Sequence, residues 1–204
     1  KIILIEDAAE VMGQKLNNKL CGSYGDISIF SFYANKQITT GEGGMITTNS
    51  KKLYEQSKSL RNLCFGKQDR FNHEDIGWNY RMTNLQASLG VSQLKRIRSI
   101  VGRRHRVGNE YFQKLKNNKN IYIPETTRSY AKNIYWVIAF VITNKNLKID
   151  GKKLMKMLLK YGIQTRPFFW PMHKQKVFKE KYKINTSGKY ENSEYISKYG
   201  LYLP

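Results

Sequence analysis

Three residues of this 204-residue sequence have types and places that could do chemistry together: Asp7, Ser31 and Lys36. A carboxylate can keep a proton on a ring nitrogen, a hydroxyl can donate to a phosphate oxygen, and a lysine amine partly withdrawn from water can add to a carbonyl carbon. Taken singly they are unremarkable, because an isolated lysine is most simply a solvated surface residue and an acid after a strand most simply a cap. Their context argues for more. Asp7 closes the apolar run that starts Lys1-Ile2-Ile3-Leu4-Ile5, Ser31 lies in the run Ile27 to Tyr33, and Lys36 follows that run just before Thr39-Thr40-Gly41-Glu42-Gly43-Gly44. Side chains at the carboxyl ends of parallel strands face the edge where open α/β sheets bind ligands.

The elements that must position them follow from hydrophobic periodicity. A short unbroken apolar run such as 1–5 reads as a buried parallel strand. A turn over Gly22 to Gly25 precedes the second strand, and the glycine-rich turn leads into a third, Met45 to Thr48. Near Thr83 the period becomes helical. Thr83-Asn84-Leu85-Gln86 has capping-box form, and Leu85, Leu89, Leu94, Ile97 and Val101 continue one long helix to about Leu115, with Gly102 and Gly108 as its weak points. The polar stretch Lys116 to Lys119 reads as a boundary, giving residues 1–117 as part of a large domain with its connecting helix and 118–204 as a small, incomplete α/β domain. In the second part a strand is expected over Ile134 to Thr143, a helix capped by Asp150 and ended at Gly162, and a strand over Ile163 to Arg166. The chain opens on an apolar strand and stops inside an apolar phrase, so it reads as a segment of something longer, cut at both ends.

Composition narrows the class of function. A hydrophobic share of 40% fits a globular chain, and the longest nearly pure apolar run, Ile134 to Ile142, is well short of a membrane span. Two cysteines, Cys21 and Cys64, form no disulfide framework and no zinc spacing, which fits a reducing cytoplasm. The formal charge of +21 invites a nucleic-acid partner. The basic residues are spread along the chain, however, and the one dense run, residues 93–106, alternates with apolar positions like a solvated helix face. The expectation is therefore no membrane, no nucleic acid and no metal.

Pyridoxal phosphate needs a lysine for its aldehyde, a carboxylate for its pyridine nitrogen and donors for its phosphate. Lys36, Asp7 and Ser31 supply all three, and the 29 residues from Asp7 to Lys36 permit neighbouring strands. At this point the wording becomes specific. Glu6-Asp7-Ala8-Ala9-Glu10, Gly25-Asp26 with Phe30-Ser31-Phe32, Asn35-Lys36, Thr40-Gly41-Glu42-Gly43-Gly44 and Asn79-Tyr80-Arg81-Met82-Thr83-Asn84 resemble, in order, the signatures of the DegT/DnrJ/StrS sugar-nucleotide aminotransferases. The resemblance implies the fold-type-I α/β architecture of the aspartate aminotransferases and pyridoxal 5'-phosphate as cofactor. It makes Lys36 the Schiff-base lysine and proton shuttle and Asp7 the partner of the pyridine nitrogen. Glu10 would lie beside the ring, Ser31 at the phosphate, and Asn79 would reach the phosphate of a neighbouring subunit, so that a homodimer shares its sites. A dehydratase branch has histidine in place of the lysine; Lys36 favours transamination.

The stretch Arg166-Pro167-Phe168-Phe169-Trp170-Pro171-Met172-His173 further resembles the perosamine synthase branch, which aminates GDP-4-keto-6-deoxymannose with glutamate. Arg166 and His173 are its candidate substrate contacts. The alternatives are a dTDP-linked 4-keto sugar and a basic, non-catalytic remnant that binds nucleic acid. His73 and His105 read as surface residues, and Trp78, Trp136 and Trp170 as core or interface.

Overall fold

The structure, a computed structural model, describes residues 2–204. It divides into two compact units, residues 1–106 with 127–136, and residues 107–126 with 137–204. The division differs from the expected boundary at 117/118 for a reason composition does not carry: the chain returns, and residues 127–136 pack into the first unit.

In the first unit β1 (Ile5–Asp7), β4 (Ile27–Ser31) and β5 (Gly44–Thr47) form a three-stranded sheet in the order β1-β4-β5. β1 runs parallel to β4 with Asp7 opposite Ile29, and β5 returns antiparallel with Gly44 opposite Ser31. The expected parallel strand is present but shorter, and it is not buried. Among the described residues it is an edge strand paired with β4, and Leu4 and Ile5 remain 54% and 69% exposed. Between these strands lies the hairpin of β2 (Lys15–Leu16) and β3 (Lys19–Leu20), turned by Asn17 and Asn18, both left-handed, as asparagine tolerates. The later hairpin of β7 (Thr127–Arg128) and β8 (Ala131–Lys132) joins it edge to edge, in the order β3-β2-β8-β7.

Three helices follow β5: α1 (Lys51–Arg61), α2 (Asn84–Leu94) and α3 (Ile97–Leu115). The expected single helix is thus two, and the break falls at Lys95 and Arg96, not at a glycine. Arg96 N–H bonds the Gln93 carbonyl three residues back, which tightens the last turn, whereas Gly102 and Gly108 stay helical. The buried centre of this unit holds Ala8, Phe32, Ile38, Cys64, Ile134 and Tyr135.

The second unit has one sheet in the order β10-β11-β9-β6, made of β6 (Ile121–Tyr122), β9 (Ile138–Ile142), β10 (Arg166–Pro167) and β11 (Gly200–Leu203). α4 (Gly151–Leu159) and α6 (Glu191–Tyr199) pack on it around Phe140, Ile142 and Leu201, and a short α5 (Lys176–Glu180) follows the aromatic loop of residues 167–173. Asp150 caps α4, accepting Lys153 N–H at 2.8 Å, and Gly162 is left-handed just beyond its end, as expected. β9 begins four residues later than the expected strand because Tyr135 is left-handed and the carbonyls of Tyr135 and Trp136 are taken by Arg104. Among the described residues no helix is long and apolar enough to cross a membrane, and no cluster of side chains could hold a metal ion.

Candidate functional site

The site grows from the carboxyl ends of two adjacent parallel strands. Ala8 N–H donates to the Ile29 carbonyl at 2.9 Å, so β1 stays paired with β4 one residue past Asp7. The Asp7 carboxylate emerges there, exposed, accepting Ala9 N–H at 3.0 Å. Strand alternation sends its neighbour Glu6 to the opposite side. There the Glu6 carboxylate accepts N–H groups from Gly22 at 2.5 Å, Tyr24 at 2.8 Å and Gly25 at 3.2 Å, and the Ser28 hydroxyl at 3.2 Å. Burial alone would raise its pKa; these donors outweigh burial and hold the Glu6 carboxyl below its ordinary range. The same charge, after burial, helps push the Cys21 thiol up. Glu6 therefore locks the end of β1 to the 22–25 loop, and Asp7 inherits that fixed backbone.

Ser31 ends β4, half-buried, its hydroxyl oxygen accepting Tyr33 N–H at 3.3 Å. Beyond it the chain makes a loop pinned at its neck, where Phe32 N–H bonds the Gly43 carbonyl and Thr40 N–H bonds the Phe32 carbonyl, both at 2.9 Å. Gly43 must be glycine: its φ is +145°, and a Cβ would lie 2.6 Å from the Thr40 hydroxyl. Phe32, Gln37, Ile38 and Thr40 are buried, so the loop is anchored on both sides of Lys36. Gln93, from the end of α2, clamps it further by donating to the Thr39 carbonyl at 2.7 Å and accepting Thr39 N–H at 3.1 Å.

Lys36 is held with its side chain only 10% exposed. Its Nζ lies 3.3 Å from the Glu10 carboxylate and 4.2 Å from the centre of the Trp136 ring. Gln37 fixes Glu10 in turn, donating to its carbonyl at 2.6 Å, while the buried amide oxygen of Gln37 has no hydrogen-bond partner among the described residues. Of the expected residues, then, Asp7, Glu10, Ser31 and Lys36 share one unit and one loop system. Asn79 is exposed in that unit, its side chain accepting Arg81 Nε–H at 2.8 Å and its backbone bridged to Asn62. His105, expected on the surface, is half-buried, and burial followed by the charge of Lys132 pushes its imidazole pKa down. Gln37, Gln93, Arg104 and Trp136 were not singled out by spacing as partners of this loop; their roles depend on contacts made far along the chain.

In the second unit Arg166 is exposed on β10. His173 follows the aromatic loop with its Nε2 3.0 Å from Glu194 and its ring against Tyr190, while Lys174 reaches the same carboxylate at 2.6 Å. Those bonds, from Lys174 first and His173 second, hold the Glu194 carboxyl below its ordinary range.

A family model of the DegT/DnrJ/EryC1/StrS aminotransferases matches residues 1–204. The chain belongs to this family. Its aminotransferases depend on pyridoxal phosphate. GDP-perosamine synthase of Escherichia coli O157:H7 is 34% identical over 206 residues, covering 100% of this chain and 53% of its own. GDP-perosamine synthase of Caulobacter vibrioides is 39% identical over 172 residues, covering 84% of this chain and 46% of its own. Among solved structures, Helicobacter pylori PseC, an aminotransferase involved in the biosynthesis of pseudoaminic acid, superposes on all of this chain and 54% of its own with a TM-score of 0.90 at 25% identity. The family member described here spans about half the length of the curated relatives it matches and has their mixed α/β, fold-type-I architecture.

Proposed function

We propose that the protein transaminates a nucleotide-linked 4-keto-6-deoxy sugar with glutamate as amino donor, the GDP-linked sugar being preferred, in the cytoplasm and as a homodimer. The observation that carries this reading is that Asp7 and Ser31 close the adjacent parallel strands β1 and β4, while Lys36, in the loop after β4, meets Glu10 from the segment after β1, in a chain 34% and 39% identical to two GDP-perosamine synthases. The residues fit pyridoxal phosphate by their chemistry: one carboxylate at a strand end, one hydroxyl, one largely enclosed amine, and the orphaned acceptor of Gln37, the next residue in the chain after Lys36.

When bound, the cofactor supplies an electron-withdrawing ring that stabilises negative charge on the carbon bearing the amino group. Asp7 would hold the proton on its ring nitrogen, and Ser31 would donate to its phosphate. Lys36 would hold the cofactor through its amine and then, freed, take and return the proton at Nζ in both half-reactions. Glu10 would lie beside the ring. Asn79 would complete the phosphate site of the partner subunit, and Arg166 and His173 would meet the substrate.

The test uses the full-length protein with pyridoxal phosphate, glutamate and either GDP-4-keto-6-deoxymannose or the dTDP-linked 4-keto-6-deoxyglucose. Equal amounts of 2-oxoglutarate and GDP-linked amino sugar are expected. Turnover of the dTDP sugar alone would move the assignment to the dTDP series, and turnover of neither would overturn it.

A further inference from the structure

We propose that Trp136 is the positioning residue for the Lys36 amine, its ring face fixing where the Nζ stands. The inference rests on Lys36 being the reactive amine and adds the group that holds it. Among the described residues Glu10 and Trp136 meet the charged end of Lys36, and they are unequal. Glu10 is 47% exposed, so its ion pair is screened by water and fixes little geometry. The indole ring, 4.2 Å from Nζ, offers a broad negative face that attracts an ammonium and limits its excursions.

The ring is itself held by a backbone that departs from the ordinary. Tyr135 is left-handed, with φ +53°, although it is a large residue 6% exposed. Such a conformation persists only where its surroundings over-determine it. Ile134 before it is 3% exposed, and the Arg104 guanidinium donates to the carbonyls of both Tyr135 and Trp136, at 3.3 and 3.1 Å. Arg104 is half-buried, with burial pushing its pKa down, so it acts as an internal strut of the first unit. The chain of support runs from Arg104 through two carbonyls to the ring and so to the amine. A lysine that must both hold a cofactor and move a proton at one carbon needs a small range of positions, and its flexible four-carbon stem does not supply one.

The contact is tested in the full-length, cofactor-free protein after reductive methylation of its lysines with 13C-formaldehyde. The Lys36 methyl resonance is assigned by its disappearance in Lys36→Arg. It should lie upfield of the bulk lysine signal through the indole ring current, move to the bulk position in Trp136→Leu, and stay partly shifted in Trp136→Phe. In turnover, Trp136→Leu should lower kcat about tenfold with the KM for glutamate and for the sugar nucleotide within about twofold, and Trp136→Phe should recover most of the loss. If Trp136→Leu does not fold by circular dichroism, Arg104→Met, which keeps the ring and removes its strut, should shift the same resonance toward bulk. A parent resonance already at the bulk position, or a folded Trp136→Leu with unchanged kcat, would overturn the proposal. Failure of the parent reading looks different: Lys36→Arg would then remain active although the unsubstituted protein shows the upfield resonance.

Discussion

At the scale of single residues the strongest expectations attach to Lys36 and Asp7. Lys36→Ala should abolish turnover, since neither attachment of the cofactor nor proton transfer has a substitute, and circular dichroism should show the fold intact because the loop is held by its buried neighbours. Asp7→Asn should still bind cofactor yet turn over at least about 100-fold more slowly, because an amide cannot hold a ring proton by charge; parent-like turnover would reduce Asp7 to a cap. Glu6 predicts a pH dependence of stability. Its folded pKa lies below its unfolded one, so its contribution is complete above the unfolded pKa and is lost as pH falls through the folded value. Melting temperature should therefore drop as the pH is lowered through and below the ordinary carboxylate range, and Glu6→Gln should be less stable at neutral pH with a flatter acid limb. Equal slopes in the two proteins would show that other carboxylates set the acid limit.

Among elements, α2 matters most, because its start and its end both reach the loop of Lys36. Thr83 accepts Gln86 N–H at 3.2 Å, Gln86 accepts Thr83 N–H at 3.0 Å and donates to the Glu42 carbonyl at 3.4 Å, and Gln93 holds Thr39 from the other end. Thr83→Ala should cost about 1 kcal/mol, read as a lower urea midpoint at constant m-value. That cap was legible in the sequence because capping is a local matter of four residues, as it was at Asp150. The adjacency of β1 and β4 was legible for a related reason: two apolar runs ending in polar residues, at a separation that allows neighbours. By contrast α1 has only Leu53, Tyr54 and Leu60 as apolar residues among eleven, and its one local sign, the Ser50 cap, was not enough to announce a helix. The break at Lys95 and the return of residues 127–136 depend on what the chain meets in space, to which periodicity is blind. The same holds within the proposed site: the places of Asp7 and Ser31 at strand ends and of Lys36 in the following loop could be read from the apolar runs, whereas the contacts of Gln37, Gln93 and Trp136 could not.

For the whole molecule, the proposed shared site makes a prediction about assembly. Inactive Lys36→Ala and Asn79→Ala chains, unfolded and refolded together one to one, should regain activity, because hybrids can gather both faults in one site and leave the other intact, about a quarter of all sites under random pairing. No recovery, with hybrids shown by mass spectrometry to form, would assign Asn79 to its own chain. The support of Lys36 also bears on the order in which the protein folds. Gln93 is 54 residues from Thr39, which it holds, and Trp136 is 100 from Lys36, so both contacts close long loops and are formed against a large loss of chain entropy. During synthesis the strand ends and the glycine-rich turn can pair early, but the indole face and the Arg104 strut arrive only after residue 136 has emerged. The Lys36 amine is consequently among the last parts of the first unit to be set, and a nascent chain carries it loosely tethered until the hairpin β7–β8 comes home.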